Sequence, residues 1–122
     1  VGFTWGFANP ASYSRCENGR DGTAGLAIPE AAEIGAEITI HADHVLWDRL
    51  GTEEAQLVFA PIASLDADDD GVVDTDELRA GDPVALGYEA SGLDLPTMYD
   101  FLAFSVASAA HFNGEGLCTV RA

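Results

Sequence analysis

Residues 66–77 have the sequence DADDDGVVDTDE, with acidic side chains at positions 1, 3, 5, 9 and 12 of the segment and glycine at position 6. Ca²⁺ takes about six to eight oxygen ligands at roughly 2.3–2.6 Å, and carboxylates at short odd intervals let one segment wrap around the ion. Gly71 permits the positive φ that folds such a loop back on itself. The expected ligands are the side chains of Asp66, Asp68, Asp70, Asp74 and Glu77 and the carbonyl group of Val72.

Apolar residues flank this segment at helical spacing, with Val58, Ile62 and Leu65 before it and Leu78 after it. Together with these flanks, residues 52–80 resemble the EF-hand family, and every ligand position of the family's loop is filled. The resemblance implies a helix–loop–helix fold and calcium binding. The ligands that it implies are Asp66, Asp68, Asp70, Val72, Asp74 and Glu77, with both carboxylate oxygens of Glu77 on the ion.

Two features favour a structural calcium site over a regulatory sensor. The chain has a single loop of this kind, whereas EF-hands usually work as adjacent pairs, and Gly81 and Pro83 cut the exit helix short. The alternative is an acidic, solvated loop that binds no ion. Seven of the 21 acidic residues lie within these twelve positions, and such crowding without a cation is strongly repulsive.

Length, composition and charge limit the remaining classes. The chain has 122 residues, 48% of them hydrophobic, which predicts one domain over residues 1–122 with a real core. Its net charge of −16 argues against nucleic acid and anionic membrane surfaces as partners. No apolar run approaches the ~20 residues needed for membrane insertion. The first residue is not Met, so we expect either a removed signal segment or a piece of a longer protein.

The two cysteines, Cys16 and Cys118, lie near opposite ends of the sequence. This separation is unlike a metal knuckle or a redox pair and predicts one disulfide bond. A disulfide in turn predicts an extracellular, periplasmic or cell-surface location. Two buried free thiols in a cytoplasmic protein are the alternative.

Hydrophobic periodicity and turn residues predict an α+β fold, with a small, mostly antiparallel β layer packed against helices that include the EF-hand-like helix–loop–helix. We expect an irregular loop over residues 8–23. The predicted strands cover residues 1–7, 26–28, 36–47 and 117–121. The predicted helices cover residues 52–65, Thr75–Ala80 and residues 94–111.

The three histidines, His41, His44 and His111, form a second candidate site together with Asp43. Imidazole and carboxylate ligands suit Zn²⁺ or Cu²⁺. In a regular strand, His41 and Asp43 share a face, whereas a helical turn would bring His41 and His44 together. His111 completes the site only if the fold brings the end of the last predicted helix beside His41. The alternative is three histidines in ordinary core and surface roles.

These features favour a secreted calcium-binding protein or domain whose loop mainly stabilises structure. Two other classes remain: a metalloprotein or enzyme that uses the His/Asp site, and a subunit of an extracellular assembly that binds a protein partner or itself. The serines lie in no nucleophile-elbow context and the glycines form no phosphate-binding loop. The sequence therefore favours a binding module over an enzyme, and it predicts no catalytic residues.

Overall fold

The computed structural model of the chain describes residues 11–52 and 54–121. This part of the chain has three α-helices, one 3₁₀ helix and two small antiparallel sheets, which confirms the predicted α+β class. The backbone forms two compact units. One contains Asp43–Val106 and is called the helical unit here; the other contains residues 11–42 and 107–121 and is called the strand unit. The single domain expected from the length stays a prediction.

The helices are short. They are α1 (Ala60–Ala63), α2 (Thr75–Ala80) and α3 (Met98–Ala107), and the 3₁₀ helix spans Ala42–Leu46. The strands have three residues each and are β1 (Ser12–Ser14), β2 (Ile38–Ile40), β3 (Ala110–Phe112) and β4 (Thr119–Arg121). No helix in the described part of the chain is long and apolar enough to span a membrane.

The core of the helical unit is centred on α3. Met98, Phe101 and Leu102 are fully buried, and their spacing puts them on one face of the helix. Each large apolar side chain buried in this way contributes ~1.5–3 kcal/mol. Ile62 of α1 and Leu78 of α2 belong to the same core. The core therefore holds both ends of the 66–77 segment. Its remaining buried members are Leu50 and Tyr88.

The strand unit combines an N-terminal segment, residues 11–42, with a C-terminal segment, residues 107–121. Strand β1 pairs with β4, and β2 pairs with β3, both antiparallel. A disulfide bond joins Cys16 to Cys118, with the sulfur atoms 2.02 Å apart, so the predicted disulfide is confirmed. Because the bond closes a loop of about 100 residues, it removes roughly 4–5 kcal/mol of unfolded-state entropy in the chain-entropy model.

The helix predicted over residues 52–65 is wrong in its first half. Among the described residues of this range, only α1 (Ala60–Ala63) is α-helical, and Pro61 lies in its first turn, where a missing N–H costs nothing. Upstream of α1, the backbone pairs with a distant segment instead. Asp48 N donates to Gln56 O at 3.0 Å, and Val58 N donates to Leu46 O at 2.8 Å. These non-local hydrogen bonds replace the predicted helical ones.

Two other predicted elements differ in their ends. The strand predicted over residues 36–47 is limited to β2, because the chain turns into the 3₁₀ helix at Ala42. The helix predicted over residues 94–111 is α3, which begins after Thr97 and ends at Ala107. Thr97 Oγ1 accepts from Asp100 N at 3.2 Å and thus caps the helix three residues after its predicted start at residue 94. His111 belongs to β3 and not to a helix end.

Two segments of the N-terminal half also depart from expectation. The irregular loop expected over residues 8–23 contains β1, because Ser12–Ser14 finds a partner in β4 at the other end of the chain. Residues 26–28 are described and form no strand. The strand expected over residues 117–121 is present as β4 (Thr119–Arg121). The strand expected over residues 1–7 lies outside the described residues.

Candidate metal centres

The first three acidic positions of the 66–77 segment lie close together. Asp66, Asp68 and Asp70 each offer a carboxylate oxygen, and these oxygens lie within 4.8 Å of one another. Backbone N–H groups hold the carboxylates toward the inside of the loop. Gly71 N donates to Asp66 Oδ2 at 2.9 Å, and Val72 N donates to Asp70 Oδ1 at 2.7 Å. Asp70 N donates to both Asp66 Oδ1 and Asp68 Oδ1, at 3.1 and 3.2 Å.

The tight turn of the loop depends on two residues with positive φ. Gly71 has φ of 83° and Asp69 has φ of 60°. The first is at the position where the sequence analysis required a glycine. After the turn, the side chain of Val73 packs against the core of the helical unit, whereas Val72 is 55% exposed.

Glu77, the last acidic position, reaches back across the loop. Its Oε1 accepts from Ala67 N at 2.6 Å and its Oε2 accepts from Asp74 N at 2.9 Å. The carboxylate therefore ties position 12 of the segment to position 2. Because Ala67 directly follows Asp66, this contact brings the Glu77 carboxylate to the end of the loop where the three clustered aspartates begin.

Asp74 begins α2 and caps it. Asp74 Oδ1 accepts from Asp76 N at 2.8 Å and from Glu77 N at 2.9 Å, and Glu77 completes a reciprocal capping box. The helix ends at Gly81, so both predicted ends of Thr75–Ala80 are confirmed. The six expected calcium ligands thus lie in one loop between α1 and α2, in the helical unit.

The chemistry of this loop is that of hard oxygen donors. The expected side-chain ligands are four aspartates and one glutamate, and no sulfur or imidazole group belongs to the segment. Such donor sets suit Ca²⁺, Mg²⁺ or Mn²⁺ over softer metals. Among these ions, Ca²⁺ tolerates the irregular geometry of a flexible, partly exposed loop, whereas Mg²⁺ demands a near-ideal octahedron.

The sequence analysis grouped His41, His44 and His111 with Asp43 in a second candidate site. His41 and His111 both lie in the strand unit, and their ring centroids are 4.8 Å apart. Asp43 and His44 belong to the helical unit. His44 is buried there, and the centroid of its ring lies 3.8 Å from the centroid of the Trp47 ring. The expected approach of His111 to His41 is therefore present, although on a strand.

Sequence reasoning missed Glu115. This residue lies within 4.8 Å of ligand atoms of both His41 and His111. The signal that could have found it is Asn113-Gly114, which directly follows β3 (Ala110–Phe112). An Asn-Gly pair is the strongest short-range signal for a tight reversal of an extended chain, and a reversal there returns Glu115 toward His111.

Comparisons with protein-family models, curated proteins and solved structures find no match to this chain.

Proposed function

We propose that this protein is a calcium-binding module whose 66–77 loop binds one Ca²⁺ ion in the manner of an EF-hand. The observation that carries the proposal is the convergence of the Asp66, Asp68 and Asp70 carboxylates within 4.8 Å. Three negative charges at that separation repel one another, and a divalent cation between them turns the repulsion into attraction. The loop hydrogen bonds to these carboxylates hold them in place before the ion binds, which lowers the ordering cost of binding.

Glu77 and Val72 would complete the ligand set. The Glu77 carboxylate already spans the loop from Ala67 to Asp74. In the proposed site its side chain would turn so that its oxygens face the ion. Val72 would contribute its carbonyl oxygen. In this arrangement Asp74 has two tasks, because it also caps α2.

The role of the ion in this proposal is structural. The helices flanking the loop have four and six residues, and Ile62 and Leu78 fix both of them in the core. A sensor needs helix pairs that open to expose a target groove, and helices of one to two turns offer no such surface. An ion that binds only the folded loop instead adds stability, by ~2.7 kcal/mol when its concentration is 100 times Kd.

We also propose that the protein functions outside the cytoplasm. The Cys16–Cys118 disulfide supports this location, because disulfides persist in oxidising compartments and are rare in the cytosol. The proposed location sets the expected affinity, since extracellular EF-hand modules bind Ca²⁺ with Kd of about 10⁻⁴–10⁻³ M.

Calorimetric titration with Ca²⁺ tests the proposal through a matched pair of variants. Asp68→Asn removes the charge of an expected ligand, while Asp69→Asn removes the same charge from the neighbouring residue, which is an expected non-ligand. Asn also tolerates the positive φ of Asp69. We expect one site in the parent, about tenfold or greater weakening in Asp68→Asn, and an affinity within about threefold of the parent in Asp69→Asn. Equal weakening in the two variants would mean that the loop attracts cations only through its overall charge.

A further inference from the structure

A second cluster of metal-ligating side chains lies in the strand unit, outside the calcium loop. Its members are His41, His111 and Glu115, whose ligand atoms lie within 4.8 Å of one another. The distance from His41 Nε2 to Glu115 Oε1 is 3.7 Å, and that from His111 Nδ1 to Glu115 Oε2 is 3.6 Å. The two imidazole rings are inclined by 68°, so they are not stacked face to face.

Backbone pairing accounts for this arrangement. His111 lies opposite Thr39 in the β2–β3 pair. His41 directly follows β2, and His41 N donates to Ala109 O at 2.8 Å, which continues the pairing beyond the strand. Both histidines are therefore held by main-chain hydrogen bonds of the same two-stranded sheet, rather than by a loop.

A tight turn brings in the carboxylate. Asn113 and Gly114 have φ of 49° and 95°, and Phe112 N donates to Gly116 O at 2.9 Å. This hydrogen bond reverses the chain directly after β3, so that Glu115 returns toward His111. Asn113 is 1% exposed, and its side-chain oxygen accepts from Glu37 N at 2.8 Å. The turn is thus anchored to the chain that leads into β2.

We propose that His41, His111 and Glu115 bind a Zn²⁺ ion, at a site separate from the proposed calcium loop. Ligands at ~2.0–2.2 Å from zinc in a tetrahedron lie roughly 3.3–3.6 Å from one another. The two observed nitrogen-to-oxygen distances, 3.7 and 3.6 Å, lie at the upper end of that range or just above it. Two imidazoles and one carboxylate form a donor set that zinc commonly takes, with water in the fourth position.

Exposure and charge also suit an ion at this place. The side chains of His111, His41 and Glu115 are 8%, 29% and 76% exposed, so the cluster runs from a buried imidazole to a solvent-facing carboxylate. A zinc ion there would have protein on one side and solvent on the other. The net charge of −16 favours entry of a cation. Because both cysteines form the disulfide, no thiolate competes for the metal.

Both distances from Glu115 to the imidazoles are longer than the ~2.7–3.2 Å of a hydrogen bond between nitrogen and oxygen, and they lie within the ~4 Å of an ion pair. The two contacts use different carboxylate oxygens, Oε1 toward His41 Nε2 and Oε2 toward His111 Nδ1. An ion pair and a zinc site share this geometry, and titration with zinc distinguishes them.

Titration of the 122-residue chain with Zn²⁺ in saturating Ca²⁺ tests this site while the loop is occupied. We expect one zinc per chain with Kd in the micromolar range or tighter. Glu115→Gln should weaken binding at least about tenfold, by analogy with the ~10–100-fold effect of losing even an outer-shell partner. Glu115 is exposed, so the variant should fold, and circular dichroism checks this. Glu33→Gln is the matched control, because it removes one negative charge from another exposed residue of the same unit.

The outcomes separate this site from the calcium proposal. His41→Ala should also weaken zinc binding at least about tenfold, while Asp68→Asn should leave zinc binding unchanged. The proposal is overturned if no zinc binds more tightly than about millimolar, or if Glu115→Gln and Glu33→Gln bind zinc equally well. Replacement of Zn²⁺ by Co²⁺ gives a second readout, since a tetrahedral cobalt spectrum should appear in the parent and be lost in Glu115→Gln.

Discussion

Replacement of Asp74 separates its observed role as the N-cap of α2 from its proposed role as a calcium ligand. The Asp74 carboxylate accepts hydrogen bonds from two backbone N–H groups of α2, and loss of an N-cap of this kind costs about 1 kcal/mol. In the presence of a chelator, Asp74→Ala should therefore lower the free energy of unfolding by about 1 kcal/mol. Asp74→Ser should lower it by only a few tenths of a kcal/mol, because serine caps about as well as aspartate.

Calcium changes this comparison. If either variant binds Ca²⁺ tenfold more weakly, then at 100 times the parent's Kd it gains ~1.4 kcal/mol from the ion instead of ~2.7 kcal/mol. In calcium, Asp74→Ala should thus lie about 2.3 kcal/mol below the parent and Asp74→Ser about 1.6 kcal/mol below it.

Urea unfolding followed by circular dichroism, in chelator and in calcium, measures these four differences. An Asp74→Ala loss that is the same in both conditions would refute a role for Asp74 in binding the ion. Full stability of Asp74→Ala in chelator would refute its role as the helix cap.

Three further predictions concern the rest of the molecule. The unreduced protein should have a mass two hydrogens below that of the dithiol, and reduction of Cys16–Cys118 should lower the unfolding free energy by roughly 4–5 kcal/mol in a urea titration. Burial, together with the nearby charge of Asp48, raises the pKa of Tyr88 to about 12 from its ordinary value of 10.0. Folding therefore favours the neutral phenol, and its contribution to the free energy of unfolding is complete below pH 10 and is lost as the pH rises from 10 to 12. In Tyr88→Phe, unfolding curves measured across this pH range should lack the fall in stability that the phenol causes. A Cβ atom at Gly116 would overlap the backbone of neighbouring turns, whereas a Cβ atom at Gly35 would meet nothing within 4 Å. Thermal unfolding should therefore show that Gly116→Ala lowers the free energy of unfolding by about 3 kcal/mol and that Gly35→Ala leaves it almost unchanged.

The 66–77 loop was the part of the fold most accessible to sequence reasoning, because its determinants are local. The caps at Asp74 and Gly81 lie within a residue of the helix that they delimit, and the turn at Gly71 needs only its own φ. Local rules were sufficient to give the bounds of α2. They also gave the group of acidic residues that the structure brings together at Asp66, Asp68 and Asp70.

The elements that differ are those whose backbone partners are distant in sequence. The segment before α1 pairs with residues 46–48 instead of forming helix, and Ser12–Ser14 pairs with the other end of the chain. Hydrophobic periodicity does not report such partners. The position of His111 on β3 has the same cause, since its strand exists because of β2. The disulfide was predictable despite its long separation because only two cysteines are present.

The calcium content of the protein at equilibrium tests the central claim most directly. Parent protein and Asp68→Asn would be dialysed against the same buffer, with calcium near ~1 mM, at the weak end of the affinities of extracellular EF-hand modules, and with enough salt to screen general charge attraction. Elemental analysis of the two samples then gives bound calcium per chain above the dialysis buffer. With Kd of about 10⁻⁴–10⁻³ M, the account predicts about 0.5–0.9 calcium ions per chain for the parent. With a Kd at least tenfold weaker, it predicts at most about 0.1–0.5 for Asp68→Asn, and less than the parent in every case. No bound calcium in the parent, or equal amounts in the two proteins, would contradict it.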